Sequence, residues 1–294
     1  MNLSTVILPL ERWPASREKW RRAEALGFFA AYTYDHLSWL RLQYRPWFAA
    51  VPTLTAAAVE TSTIRLGTLV TSPNFRHPVP LAKDLLTVDD VANGRLIVGI
   101  GAGGVGNDAT ALGEPAWTRR ERTDRFVDFV DLLDRLLREP LTSQRGPFYS
   151  ASEVRMLPGT VQKPRPPFCI AATGKRGFAV AARHGQAWVS FGQPPDSEES
   201  CYQAVASQLH QLADALDQAG RPQNDLARVL LDGLSEEKPL VSVDAFVDWA
   251  GRYQALGITE LVIHWPEPDS LFDFDMKIFE KIATEGLAQL SAAP

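Results

Sequence analysis

Three short segments of this 294-residue chain hold residue types able to do chemistry. Thr173-Gly174-Lys175-Arg176-Gly177 places two cations between glycines just ahead of a helical pattern. Exposed backbone N–H groups and positive charge there would suit a phosphate, unless the segment is an ordinary strand-to-helix turn with exposed basic residues. His36 can exchange a proton near neutral pH. Asp35, next to it, points to the opposite side if the strand runs on, so the two need not touch. A lone histidine is more often structural, and Trp39 either stacks on a planar ligand or packs beneath a loop; taken alone, the packing role is the simpler one. Gly99, Gly101 and Gly104 satisfy a GxGxxG pattern, yet no helix opens directly from them and no ribose-binding acid follows, which argues against a dinucleotide fold.

The elements that must position these residues are legible as a βα alternation. Between Arg65 and Gly104 lie two short apolar runs, Ile64 to Val70 and Arg95 to Ile100, with a helix expected to open after Pro80 and close at Gly94. That is one parallel βαβ unit, and both strands end in small or polar residues, Thr71-Ser72-Pro73-Asn74 and Gly101-Ala102-Gly103-Gly104, where a ligand can approach backbone. Further strand-like runs at Thr5 to Pro9, Ala30 to Tyr34, Phe168 to Ala172, Ala187 to Phe191, Ala227 to Leu231 and Glu260 to Trp265 bring the count to about eight. The first helix is expected to be capped by Ser16 and closed by Gly27. Eight alternating units predict an α/β fold, a (β/α)8 TIM barrel, as one domain over 1–294 with its main insertion at about 105–167 after strand four. Within that insertion Arg119, Arg120, Glu121 and Arg122 read as a solvated helix face, and the loops after strands six to eight would shape the rest of a pocket at the same mouth. Phe191, Trp265 and Pro266 read as caps on the barrel core in preference to pocket walls.

Composition narrows the function classes. A net charge of -5 without a basic stripe argues against nucleic acid as a partner. The opening MNLSTVILPLERW carries no positive leader, and no run approaches the length of a membrane span, which reads as a cytoplasmic protein without membrane attachment. Cys169 lies in a buried run and reads as a small core residue beside only one other cysteine, Cys201. Five histidines without metal spacing, and no CxxC, predict no structural metal.

Taken together these segments resemble the bacterial luciferase-like oxidoreductases, which use flavin or the deazaflavin coenzyme F420. The resemblance is carried by RLGTLVTSPNFRHPVPLAKDLLTVDDVANGRLIVGIGAGG, joined in the family's order by YDHL, GGVGNDATALG and AATGKRGFAVAARHGQAWV. It implies a ring at the barrel mouth and a ribityl phosphate at Gly174, Lys175, Arg176 and Gly177. It further implies Asp35 as a cofactor contact, His36 as a proton donor and Trp39 flanking the substrate. Thr71 and Ser72 match a third-strand bulge with an unusual cis peptide, and Ala102, Gly103 and Asn107 match cofactor-contacting positions after the fourth strand. Gly104 departs from the sugar-phosphate dehydrogenases of the family, which carry a glutamate there; Asp108 is equally suited to substitute for that acid or to cap a helix. The implied activity is hydride transfer between F420 and an organic substrate across a C=C, C=O or C=N bond, in either direction. An FMN-dependent monooxygenase and a non-catalytic flavin- or partner-binding barrel are the alternatives. A small-molecule or peptide substrate and a homodimer are the implied partners.

Overall fold

The computed structural model of the chain describes residues 1–192, 200–232 and 237–292. Ten strands alternate with helices: β1 (Asn2–Val6), β2 (Ala30–Thr33), β3 (Arg65–Thr71), β4 (Leu96–Gly101), β5 (Leu141–Arg145), β6 (Ser150–Arg155), β7 (Phe168–Ala171), β8 (Ala187–Ser190), β9 (Ala227–Leu231) and β10 (Glu260–His264). The helices are α1 (Trp13–Ala25), α2 (Ala50–Glu60), α3 (Pro78–Val91), α4 (Arg119–Arg138), α5 (Lys175–His184), α6 (Cys201–Gln218), α7 (Val243–Ala255), α8 (Met276–Lys281) and α9 (Leu287–Ala292). Eight strands pair in parallel and close in the order β1-β10-β9-β8-β7-β4-β3-β2, the predicted (β/α)8 barrel.

Inward-facing Val6, Tyr32, Ile97, Val189, Val229 and Val262 fill the barrel, and Cys169 is buried among them as a free thiol. Near the strand starts a carboxyl group completes the filling. Glu260 is buried and accepts hydrogen bonds from Ser4 (2.7 Å) and Tyr32 (3.1 Å), and burial pushes its pKa up. A second core lies between strands and helices, where the apolar faces of α1, α3, α4 and α7 meet the sheet.

Several boundaries differ from the sequence expectation for identifiable reasons. β1 starts at Asn2, earlier than expected, because Asn2 to Val6 pair with Glu260 to His264 of β10 and the apolar Ile7 to Leu10 are buried beyond the strand end. Ser16 lies inside α1 and is buried; the helix instead opens with Pro14 in its first turn, where a missing N–H does no harm. Gly27 does close that turn, at φ +81°. α3 opens at Pro78, not after Pro80, with the His77 ring accepting from Val79 N–H. Within 105–167, α4 is the fourth unit's own barrel helix, packed between α3 and α5. The added parts are the loop before it and the antiparallel β5–β6 hairpin, whose short polar strands lack an apolar alternation. Residues 193–199 and 233–236, in the loops expected to shape the substrate pocket, lie outside the described residues.

An ionic cluster fastens α4 to α5 and so sets the relation of their N-termini. Buried Arg165 donates to Asp134 (2.6 Å) and to the His184 carbonyl (2.8 Å), while His184 Nε2 meets Asp131 at 2.7 Å. Burial alone would lower the His184 pKa, but the Asp131 and Asp134 carboxylates outweigh it and raise the value. Burial likewise works against ionised Asp134, yet His184 and Arg165 pull its pKa down to about 2. A folded-state histidine pKa above the unfolded one stabilises fully below about pH 6.5, and that contribution disappears as pH rises through the raised folded value. Thermal unfolding between about pH 5 and pH 9 should therefore show a stability decline on the alkaline side that His184→Gln lacks. Parallel pH profiles for the two proteins would refute the assignment.

Candidate active site

A cavity of about 850 Å³ opens where β2, β3, β4 and β7 end, a volume within the range of small-molecule sites. Each strand delivers its last residues to the same mouth because the barrel is parallel throughout, so the predicted polar strand ends meet there.

His36 lines this cavity from the loop after β2. Its Nδ1 lies 2.5 Å from Asp108 Oδ2, and Asp108 Oδ1 accepts from the N–H groups of Leu37 (2.8 Å) and Ser38 (3.2 Å). Asp108 sits in the short helical turn Asn107–Ala109 and is buried. One carboxylate thus ties the loops after β2 and β4 together and holds the imidazole by one nitrogen. Among the described residues no other group bonds His36, which leaves Nε2 for a ligand proton.

Tyr34, also on the cavity wall, belongs to a second fixed pair. Its hydroxyl is 2.7 Å from His264 Nε2, and His264 Nδ1 is 2.8 Å from the Asp232 carbonyl. A carbonyl only accepts, so Nδ1 carries the proton and Nε2 accepts from Tyr34. Burial drives the His264 pKa down to about 3, keeping it neutral. The Tyr34 ring meets both His36 (5.9 Å) and Trp39 (5.5 Å) edge-on, and Trp39 stacks on Phe272 at 6.1 Å. Trp39 is thereby held upright on the lining.

The third and fourth strands contribute mostly backbone. The Leu69–Val70 peptide is cis, and the β3 register against β4 shifts between Thr68 and Thr71. The bulge therefore lies between Thr68 and Thr71, with its cis peptide at Leu69–Val70, a choice of peptide the sequence leaves open. Gly103 has φ +77° and lies under Asn74, whose Nδ2 donates to the Gly104 carbonyl at 3.2 Å, so a Cβ at 103 would overlap that amide. At Gly104 a Cβ would meet only the Gly106 nitrogen at 3.9 Å, which leaves open space where an acid is absent.

The β7 end supplies Gly174, the N-cap of α5, with no side-chain cap of its own. Beside it stand Lys175 and Arg176, and Arg119, Arg120 and Arg122 at the start of α4 line the same cavity. Arg176 pairs with Asp124 (2.5 Å), which binds the α4 start to the α5 start. Two helix N-termini and five cations thus converge on one end of the cavity. The arginines at 119, 120 and 122 stand on the largely solvated helix face expected of them, and that face also borders the cavity.

Nine of the twelve residues selected from sequence line the cavity: His36, Trp39, Ser72, Ala102, Gly103 and the Gly174 to Gly177 turn. Asp35, Thr71 and Asn107 are not among the lining residues. Asp35 is 1% exposed and bridges Arg76 through both oxygens (2.7 and 3.0 Å) while accepting from Thr71 Oγ1 (2.7 Å), so both side chains brace the strand ends from behind. Asn107 turns away to Ser38 (3.2 Å) and Gln43 (3.4 Å). Phe191 proves to be a wall residue, whereas Trp265 packs in the core against Phe279 as expected. Tyr34, Asn74 and Asp108 as a partner of His36 were not found from sequence; only the residue types at the strand ends pointed to them. No cluster of three His, Cys, Asp or Glu suited to a metal ion occurs among the described residues, and none of their helices is long and apolar enough to cross a membrane.

The chain is similar over most of its length to oxidoreductases of one group. 4-Hydroxyprotoasukamycin monooxygenase of Streptomyces nodosus subsp. asukaensis is 27% identical over 243 residues, 80% of this chain and 64% of that protein. F420-dependent hydroxymycolic acid dehydrogenase of Mycobacterium tuberculosis is 31% identical over 57% of this chain and 46% of that protein. F420-dependent glucose-6-phosphate dehydrogenase of Beutenbergia cavernae is 33% identical over 57% and 49%. The matched regions thus span about half to two thirds of these curated relatives. An F420-dependent secondary alcohol dehydrogenase, solved with an F420-acetone adduct, superposes with a TM-score of 0.80 at 17% identity, covering 97% of this chain and 99% of that one, a likeness of fold alone. The family model described as luciferase-like monooxygenase matches residues 4–232, and with this barrel and this mouth the chain belongs to that family.

Proposed function

We propose that this protein is an F420-dependent oxidoreductase that moves hydride between the deazaflavin and a small organic substrate, acting on an alcohol or carbonyl carbon, or on a C=C or C=N bond of similar polarity. The observation that carries the reading is His36 on the cavity wall, with Nδ1 taken by buried Asp108 and Nε2 left for substrate. Relatives named as F420-dependent dehydrogenases support it, as does the cationic end of the cavity.

The residues present fit the cofactor. Gly103 offers bare backbone where a Cβ would be blocked, and the Leu69–Val70 bulge lines the same cavity. The uncapped Gly174 end of α5 with Lys175 and Arg176 suits the ribityl phosphate. When bound, the deazaflavin supplies a two-electron hydride donor or acceptor that does not activate oxygen.

His36 Nε2 takes the hydroxyl proton of an alcohol undergoing oxidation, or returns one to the oxygen of a carbonyl undergoing reduction. Asp108 holds the imidazole by Nδ1, in the tautomer that carries the proton there, so that Nε2 faces the ligand. Tyr34 has its proton committed to His264, so toward ligand its oxygen only accepts. Trp39 and Phe191 give the lining its apolar face and exclude water from the reacting centre.

FMN carries the same ribityl phosphate, and a monooxygenase relative covers 80% of this chain, so FMN-dependent oxygenation is the second reading. Fluorescence titration with F420 and with FMN separates the two. F420 should bind more tightly, and turnover should be indifferent to oxygen. Tighter FMN binding with oxygen consumption would replace the proposal, and binding of both without turnover would support a non-catalytic barrel.

His36→Ala should lower kcat by about 10²- to 10⁴-fold while F420 affinity stays within about two-fold. Asp35→Ala should behave oppositely, losing about 3 kcal/mol of stability in urea unfolding by stranding Arg76. Unchanged turnover in the first variant would remove His36 from the reaction, and unchanged stability in the second would undo the bracing role of Asp35.

A further inference from the structure

The cavity at the mouth is divided by charge. Among the described residues that line it, the five cations stand at the end where α4 and α5 begin, whereas His36 stands beside Tyr34 and Trp39, with Leu69, Val70 and Phe191 completing an uncharged lining. The one carboxylate near His36, Asp108, is committed to the imidazole and to two backbone N–H groups. An anionic group on a substrate would find no unused cation among those residues and would lie beside a like charge. The apolar character does not stop at the opening. Asp108, together with Asn107, which reaches Ser38 (3.2 Å) and Gln43 (3.4 Å), ties the loop after β4 to the loop after β2. On either side of this seam large apolar side chains face solvent: Leu37 and Tyr44 (94% exposed) on one loop, Val105 (73%) and Leu112 (66%) on the other. Single exposed apolar residues are ordinary, but four on two joined loops beside a cavity mark a surface that something apolar covers.

We propose that the substrate of this site is an uncharged alcohol or ketone with an apolar body, and that the seam between the loops after β2 and β4 is the subsite for that body. The proposal rests on the hydride-transfer reading above and names its substrate class. With the reacting oxygen at His36 Nε2, the body passes over Gly104, where a Cβ would meet only the Gly106 nitrogen at 3.9 Å, and onto Leu37, Val105 and Leu112. Each methylene buried there stabilises the complex without needing a polar partner. A phosphorylated or carboxylated substrate is disfavoured by the same arrangement, because the cations able to pair with it lie at the α4–α5 end, where the cofactor phosphate claims them.

The test is calorimetric binding of methyl ketones from about four to about ten carbons, each compared with the ω-carboxylated ketone of matching length, to the protein with oxidised F420 present. Both partners are then already oxidised, so no hydride moves and the complexes are read at equilibrium. Affinity should rise by about two- to four-fold per methylene, and the carboxylated ketone should bind at least about ten-fold more weakly than its uncharged counterpart. Val105→Asp and Leu112→Asp, at side chains that stand mostly in water, should each reduce the rise to less than about 1.5-fold per methylene beyond about six carbons. Should one variant fold poorly, the other reads the same slope. Affinity independent of length in the parent protein, tighter binding of the carboxylated ketone, or an unchanged slope in both variants overturns the subsite, the last being the result if the seam docks an apolar protein surface instead. If F420 does not bind, the cofactor reading falls, and the same series titrated onto the protein alone still reads the slope, so the two failures are distinct.

Discussion

The bond between Asp108 and His36 is the constraint on which the site depends. A single buried carboxylate accepts from His36 and from the backbone of Leu37 and Ser38, and so joins the loop after β2 to the loop after β4. Loops at a barrel mouth are otherwise independent, each free to move with its own strand end. Here the position of the proton-handling group is set by the fourth strand although the residue belongs to the second. The same bond decides which imidazole nitrogen faces substrate, since the tautomer follows from whichever nitrogen the carboxylate claims.

Two aspartates at this end of the barrel do opposite work. Asp35 is sealed behind the strands with Arg76 and Thr71, where both its oxygens are satisfied and a bidentate pair resists separation. Asp108 is satisfied just as fully, but its partner lies on the cavity wall, so its charge acts on the ligand through His36. Adjacent residues 35 and 36 therefore face different environments, as alternation along an extended chain requires. Their separation lets one residue brace the wall while its neighbour works in front of it.

What was legible in the sequence follows the range of the forces involved. Strands and barrel closure could be read because apolar runs of strand length, punctuated by glycine and proline, are local properties of the chain. The phosphate turn was legible for the same reason: glycines, cations and a helix start lie within Thr173 to Gly177. Asp108 could be read only as an acid with two equal uses, because its partner is 72 residues away and no local pattern records which loop it reaches. The arginines of α4 lie on a solvated face as their pattern indicates, Arg120 keeping 89% of its side chain exposed, but that this face also borders the cavity depends on α5 alongside, which no local pattern records. Short polar β5 and β6 escaped notice because neither buries a regular face.

The cationic end also explains why the Arg165, Asp134 and His184 cluster sits where it does. Bringing the N-termini of α4 and α5 together places two positive helix ends and several arginines side by side, an arrangement that repels itself without an anion. Asp124 offsets part of this at the rim through Arg176 and Arg120. Farther down the same helices, Asp131 and Asp134 of α4 attract His184 of α5 and Arg165, so the pair of helices is drawn together at a distance from the ends that push apart. The carboxylates thus hold the geometry while the mouth keeps an excess of positive charge, and a phosphorylated ligand supplies the missing negative charge when it binds. Moving one of those carboxylates up to the rim would relieve the repulsion, but it would also remove the charge that attracts the ligand.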